Sequence, residues 1–466
     1  MANGRKAGGI CTFALLIALG VFPASSGVAR PRQLRVAQNH RYLEYEDGTP
    51  FFYLGDTAWE LFHRLSREQA DRYLSNRAAK GFTVIQAVVL AQLGGLNDPN
   101  PYRDIPLMDK DPSRPNEAYF KHVDYIVDKA EEVGLFMGML PTWGSHWKSG
   151  LFDKSNAKSY GRFLGQRYEH KPIIWILGGD QNIKNDQEAA LIEAMARGLR
   201  EGDGGTHLIT YHPRGPGLSS DYFHQADWLD FNMFQSSHAA RDHDNALFTE
   251  HDYALKPPKP TLDGEPRYET IPVGFYNSDA TDTIRFDAYD VRQAAYWSLL
   301  AGACGHTYGH NSIWQMWQPG RSAVISGDAV PWYEAIDHPG AFQMGHIRRL
   351  FESRPFHKLR PSPSMLADAP NYGGAKVRAA CAIDGSFAFI YSPRGEQFVF
   401  DMSAMRASRV KASWFDPRYG IAEALHASDN VGFQTFVPPT CGRGCDWLLV
   451  LDDAGASFPA PGRPQQ

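Results

Sequence analysis

Ile173-Ile174-Trp175-Ile176-Leu177-Gly178-Gly179-Asp180-Gln181-Asn182 is an apolar run closed by two glycines, a carboxylate and two amides. Four to eight β-branched or apolar residues bounded by Gly read as a fully buried strand. Its C-terminal end carries an acid and two amides, which is where a barrel enzyme keeps its chemistry. A second carboxylate follows 85 residues later in Pro260-Thr261-Leu262-Asp263-Gly264-Glu265-Pro266, again at the end of a short strand-like run.

The flanking chain repeats strand then helix. Tyr42–Tyr45 and Gly48–Pro50 read as a hairpin leading into a first buried strand over Phe51–Asp56. Ser66 with Gln69 forms a capping box ahead of apolar residues at helical spacing, and Phe82–Leu90 is the second strand. The aperiodic, Pro- and Asp-rich segment Ala91–Pro115 is expected to form part of a binding wall, because loops of such length in compact domains are usually functional. Further strands are expected over Leu135–Leu140, His207–His212, Leu229–Gln235, the Glu265 run and Gly305–His310, with helices between them. About eight such units require parallel strands with crossover helices, hence an α/β fold: a (β/α)8 TIM barrel over 35–354. From about Pro355 short strands separated by turn residues indicate a small C-terminal all-β sandwich over 360–453. The Ala-, Gly- and Pro-rich residues 454–466 read as a disordered tail.

Composition narrows the function. The chain has 466 residues, a net charge of -5 and 43% hydrophobic residues, which points to a soluble globular protein of two domains and not to a nucleic-acid binder. Arg5 and Lys6, the apolar Ile10–Phe22 and the small residues Ala24–Ala29 read as a signal peptide over 1–29, too short to span a bilayer, so an exported protein, periplasmic or secreted, is expected, with no membrane span. Cys11 leaves with that segment, Cys304 and Cys381 read as small buried residues, and the Gly-rich Cys441–Cys445 loop is expected to close as a local disulfide. Aromatics are 13% of the chain; those at loop ends would suit sugar rings.

Polar residues gather at the expected C-terminal strand ends: Asp56, Gln86, Asp180 with Gln181 and Asn182, Tyr211 with His212, Gln235 with His238, Glu265, and Tyr308 with His310. Asp180 then ends strand 4 and Glu265 ends strand 7, the positions of the two carboxyl groups in retaining glycoside hydrolases of the largest barrel superfamily. In that chemistry one carboxyl protonates the leaving oxygen and the other attacks the anomeric carbon, at a separation of about 5–5.5 Å. The bland alternatives are a helix cap for Asp180 and an ion pair with Arg267 for Glu265. Trp59, Trp143 and Trp314 are candidate sugar platforms, while the amides, His residues and Tyr308 are candidates to bind hydroxyls or support Glu265.

Several separated motifs now converge: Phe52–Trp59, Gly178-Gly179-Asp180, Phe231–His238, Glu265–Glu269 and Ala301–Gly309. Together they resemble the apiosidase-like glycoside hydrolases, family 140, over about residues 35–455. The resemblance implies a barrel followed by a small collagen-binding-type β domain, Asp180 as acid/base, Glu265 as nucleophile, and release of apiose from a pectic side chain. Ser237 stands where the family pattern has Gly. No cofactor is implied, and the expected partner is an oligo- or polysaccharide. The rival readings are a non-catalytic carbohydrate-binding barrel and a metal-dependent barrel hydrolase, the latter prompted by the 17 His but lacking a His-Glu-x-x-His helix.

Overall fold

Eight strands surround the apolar centre of the computed structural model: β1 (Tyr53–Thr57), β2 (Val84–Leu90), β3 (Phe136–Thr142), β4 (Ile173–Gly178), β5 (Ile209–His212), β6 (Asn232–Gln235), β7 (Thr261–Asp263) and β8 (Gly305–Tyr308). The structure describes Met1, Gly4 and residues 33–275, 284–327 and 329–463. The signal-peptide segment lies outside the described residues except for Met1 and Gly4.

Parallel ladders run from β1 through β2, β3 and β4 to β5, and on the other side from β1 through β8 and β7 to β6. Between β5 and β6 no ladder forms, but Thr210 Oγ1 donates to Phe231 O at 2.7 Å and the Asp230 amide to Ile209 O at 2.9 Å, which bridges the seam. The strand count puts Asp180 just after β4 and Glu265 just after β7.

Successive strand residues face opposite ways. Tyr53, Val84, Val88, Ile174, Ile176 and Met233 fill the barrel interior, while Leu54, Ile85, Val89, Trp175, Leu177 and Tyr211 pack outward against the helices. Both faces are buried, which is why the strands read as continuous apolar runs. The N-terminal strands Leu34–Val36, Leu43–Tyr45 and Pro50–Phe51 form a small antiparallel sheet whose Leu34, Leu43 and Phe51 pack with Tyr53, Val84 and Phe136 at the barrel's N-terminal end. Helix Arg67–Ala79 starts at the expected capping box, Ser66 and Gln69 each bonding the other's backbone amide.

Beyond the barrel, β9 (Leu359–Pro361), β10 (Arg378–Ala382), β11 (Phe387–Ser392), β12 (Arg409–Asp416), β13 (Ile421–Ala424) and β14 (Trp447–Asp453) form an antiparallel sheet in the order β9-β10-β11-β14-β12-β13. It packs on a three-stranded sheet of Leu366–Asp368, Phe398–Asp401 and Phe433–Phe436 through Ile390, Phe398, Phe400, Trp414 and Leu449. The other face of β11 joins the barrel: Tyr391 stacks on Tyr296 with ring centroids 4.6 Å apart, and Phe389 meets Phe351 at 5.3 Å. Among the described residues no helix is long and apolar enough to cross a membrane.

Two expectations are corrected. Residues 454–463 are not a loose tail: Phe458 packs edge-on against Phe387 at 5.9 Å beneath the Arg354 guanidinium, and the Gly462 amide donates to Ser353 Oγ at 3.4 Å. One half-buried aromatic is enough to dock an otherwise Pro- and Gly-rich segment. Cys441 and Cys445 are free thiols, their turn held by a bond from the Cys445 amide to Gly442 O at 3.1 Å.

Candidate active site

The turn after β4 is built by glycine. Gly178, Gly179 and Asp180 have φ of 96°, 80° and 59°, all left-handed, a region costly for most side chains. A Cβ on Gly178 would lie 2.3 Å from His212 O, and one on Gly179 would lie 2.8 Å from the Gly144 amide nitrogen. The chain therefore presses against the ends of β3 and β5, and Trp147 Nε1 pins Gly178 O at 2.8 Å. Asp180 is no helix cap, since the next helix begins at Asp186 and is capped by Asn185. Its carboxyl opens into a cleft of ≈ 290 Å³ that also exposes Glu265.

Glu265 is held by two imidazoles. His238 Nε2 lies 3.2 Å from Oε1 and His212 Nε2 3.0 Å from Oε2, the latter off the line of a good hydrogen bond. His212 Nδ1 accepts the Asp180 amide at 3.3 Å, so the ring proton is assigned to Nε2, facing Glu265. The Tyr268 ring packs on His238 at 4.4 Å, and its phenol, buried and beside the Glu265 charge, is held far above its ordinary pKa. Arg267 does not pair with Glu265; it donates to Gln293 Oε1 at 2.9 Å and to His243 O at 3.1 Å.

These surroundings separate the two carboxyl groups. Burial, then the nearby negative charge of Glu265, pushes the Asp180 pKa up to about 7, against opposing contributions from His212, Arg214 and Gln235. Burial alone would also raise Glu265, but His212 and His238 outweigh it and take its pKa down to about 2. One group thus keeps a proton near neutrality while the other stays ionised, the division of labour that acid-assisted nucleophilic chemistry needs.

Of the residues singled out from the sequence, Trp59, Trp143, Asp180, Gln235, His238, Glu265 and Trp314 line the cleft. His212 supports it from behind, edge-on to Trp59 at 5.4 Å. The others serve elsewhere. Asp56 is fully buried on the helix side, with Arg77 Nε and the Tyr73 hydroxyl each 2.5 Å from its Oδ2. Gln86 spans the barrel interior, accepting from Tyr53 at 3.1 Å and donating to Gly264 O at 2.9 Å. Tyr211 donates to Gln181 O at 2.5 Å, and Asn182 Oδ1 accepts the Arg214 amide at 2.9 Å, so these three brace the loops. Tyr308 donates to Glu269 Oε2 at 2.6 Å; His310 caps the following helix and meets His338 at 3.0 Å.

Gln92, Arg214, Gly215, Ser237, Tyr268, Ile271, Phe275 and Ile325 complete the wall. Apart from Ser237 and Tyr268, which lie in motifs that carried the resemblance, and Gln92, these went unmarked in the sequence because loop residues carry no periodic signal. Gln92 belongs to the long segment after β2 that was expected to form a binding wall.

Comparison with known proteins agrees with this arrangement. Residues 37–358 match the family described as "Apiosidase-like, catalytic domain", and residues 361–452 match "Putative collagen-binding domain of a collagenase". A solved structure described as a glycoside hydrolase is 35% identical, with a TM-score of 0.85 over 92% of this chain and 98% of its own. A glycoside hydrolase family 5 structure from Bacteroides vulgatus is 32% identical, also with a TM-score of 0.85, covering 92% of this chain and 95% of its own. No curated protein matches the chain. A β4 acid and a β7 acid sharing one cleft, with relatives of this kind over nearly the full length, make the chain a glycoside hydrolase that belongs to the apiosidase-like family.

Proposed function

We propose that the enzyme cleaves a glycosidic bond in a pectic or related plant cell-wall saccharide and releases apiose, with retention of anomeric configuration. Asp180 protonates the leaving oxygen while Glu265 attacks the anomeric carbon to form a glycosyl-enzyme. Asp180, now ionised, then takes a proton from the water that hydrolyses this intermediate, and the product leaves with Glu265 regenerated. Trp59, Trp143 and Trp314 supply apolar faces for sugar rings, and Gln235 bonds hydroxyls or the acid itself. The basic and apolar residues at the start of the sequence support export to the periplasm or beyond.

The observation that carries the reading is the opposite displacement of two carboxyl groups within one aromatic-walled cleft. The test is hydrolysis of a panel of aryl glycosides and pectic oligosaccharides by the wild type, Asp180→Asn and Glu265→Gln, with NMR of the first-formed anomer. Loss of nearly all activity in both folded variants, with a retained pentofuranose from the wild type, supports the assignment. Activity surviving in either variant would remove that carboxylate from the mechanism.

A further inference from the structure

The loop after β6 carries Ser237 and His238 and is held in a strained shape, with Ser237 at φ 81° and Asp242 at φ 56°. Non-glycine residues keep such angles only where surrounding contacts over-determine them. Here many of those contacts come from the β domain. Arg394 Nη2 donates to Asp242 Oδ2 at 3.0 Å, Lys376 Nζ to Asp244 Oδ2 at 2.9 Å, and Arg378 Nη2 to both Asp244 oxygens at 2.7 and 2.8 Å. Gly374, also of the β domain, comes so near that a Cβ there would lie 2.1 Å from Asp242 Oδ1.

The Glu265 loop is tied to the same node. Gln293 Nε2 donates to Gly374 O at 3.0 Å and reaches Asp242 Oδ1 at 3.4 Å, while its Oε1 accepts from Arg267, two residues past Glu265. Arg267 in turn donates to His243 O. The loops bearing His238 and Glu265 therefore converge on a junction that the β domain closes.

We propose that the C-terminal β domain is a positioning element of the active site, gripping the 237–245 loop through Arg394, Lys376 and Arg378 so that His238 stays on Glu265. The domain thereby has a role in catalysis that does not require any ligand of its own. The kinetic consequence rests on the reading of Glu265 as the nucleophile; the structural consequence does not. Glu265 is faced by His212 from β5, His238 from the gripped loop, Tyr268 from its own loop and Asp180 from β4. Of these, His238 is the one whose loop the β domain grips through both Asp242 and Asp244.

The test uses the full chain with Arg394→Ala, Asp242→Arg and the charge-exchanged pair Arg394→Asp with Asp242→Arg, with Arg409→Ala, whose Asp429 partner lies in the β domain, as control. Two signals are read in folded protein: the 15N resonances of the His238 ring, and kcat with the acidic limb of its pH profile. Each single variant is expected to shift the ring resonances, lower kcat by about tenfold with KM little changed, and move the acidic limb to higher pH, because a misplaced support is costly to a preorganised site. The exchanged pair recovers both signals. An unchanged ring signal in Arg394→Ala, or an exchanged pair no better than Asp242→Arg alone, would overturn the proposal. If no glycoside is cleaved by any form, the hydrolytic reading fails and the ring signal still decides the positioning claim.

Discussion

Asp180 is a half-buried carboxyl group and Glu265 a buried one, and what separates them is the company each keeps. Asp180, as the proposed general acid, must be protonated, so kcat/KM is expected to fall as the pH rises through about 7, the pKa to which burial pushes it. The same shift affects stability. Folding raises this pKa, so the folded chain holds the proton more tightly; that stabilising contribution is fully present below the ordinary aspartate range and is lost as the pH climbs through about 7. Asp180→Asn, which cannot ionise, is therefore expected to be more stable than the wild type at pH 9 by about 3–4 kcal/mol and to show little difference at pH 4, by denaturant unfolding at both values. Ser237 offers a second residue-scale test. At φ 81° a β-branched side chain is strongly disfavoured, so Ser237→Val should cost about 2 kcal/mol, while Ser237→Gly should be neutral or stabilising.

At the scale of elements, strand parity decides which polar residues reach the cleft. Asp56, Tyr211 and Tyr308 stand at strand ends, as the sequence suggested, yet Leu54, Tyr211 and Tyr308 share the outward-facing core and Asp56 follows Leu54 by two positions. Arg77, on helix Arg67–Ala79, pairs with Asp56 and also donates to Ile336 O at 2.8 Å. Arg77→Met leaves a buried carboxylate without its cation, with only the Tyr73 hydroxyl for a side-chain partner, and is expected to cost about 3–5 kcal/mol in urea unfolding, with KM unchanged in the folded fraction. An effect on KM alone would return Asp56 to the binding site. The barrel itself was legible because eight strand-helix units repeat, and the two carboxylates were legible because strands 4 and 7 could be counted. Inward and outward registers were not, because both faces of these strands are buried and apolar on either side. Arg214 and Ile271 were missed for a different reason: they lie on loops, where position comes from long-range contacts and not from local pattern.

Over the whole molecule, barrel and β domain share one core. Phe387, Phe389 and Tyr391 turn toward the barrel while Ala388 and Ile390 turn into the sandwich, so β11 is buried on both faces. Arg292 and Asp446, both buried, pair across the junction at 2.5 Å, and Arg354 pairs with Asp452 at 2.7 Å. Asp446→Ala would strand the Arg292 charge and is expected to cost about 3–5 kcal/mol, lowering the unfolding midpoint of barrel and β domain together. Separate transitions for the two would show that the domains fold independently.

The central claim, that Glu265 attacks the anomeric carbon while Asp180 supplies the proton, is tested most directly by trapping the intermediate. An activated 2-fluoro glycoside of the released sugar slows breakdown of the glycosyl-enzyme, and peptide mapping by mass spectrometry then locates the attached sugar. The account requires a single adduct on Glu265 that is absent from Glu265→Gln. An adduct on another residue, or rapid hydrolysis to an inverted product with no adduct, would contradict it.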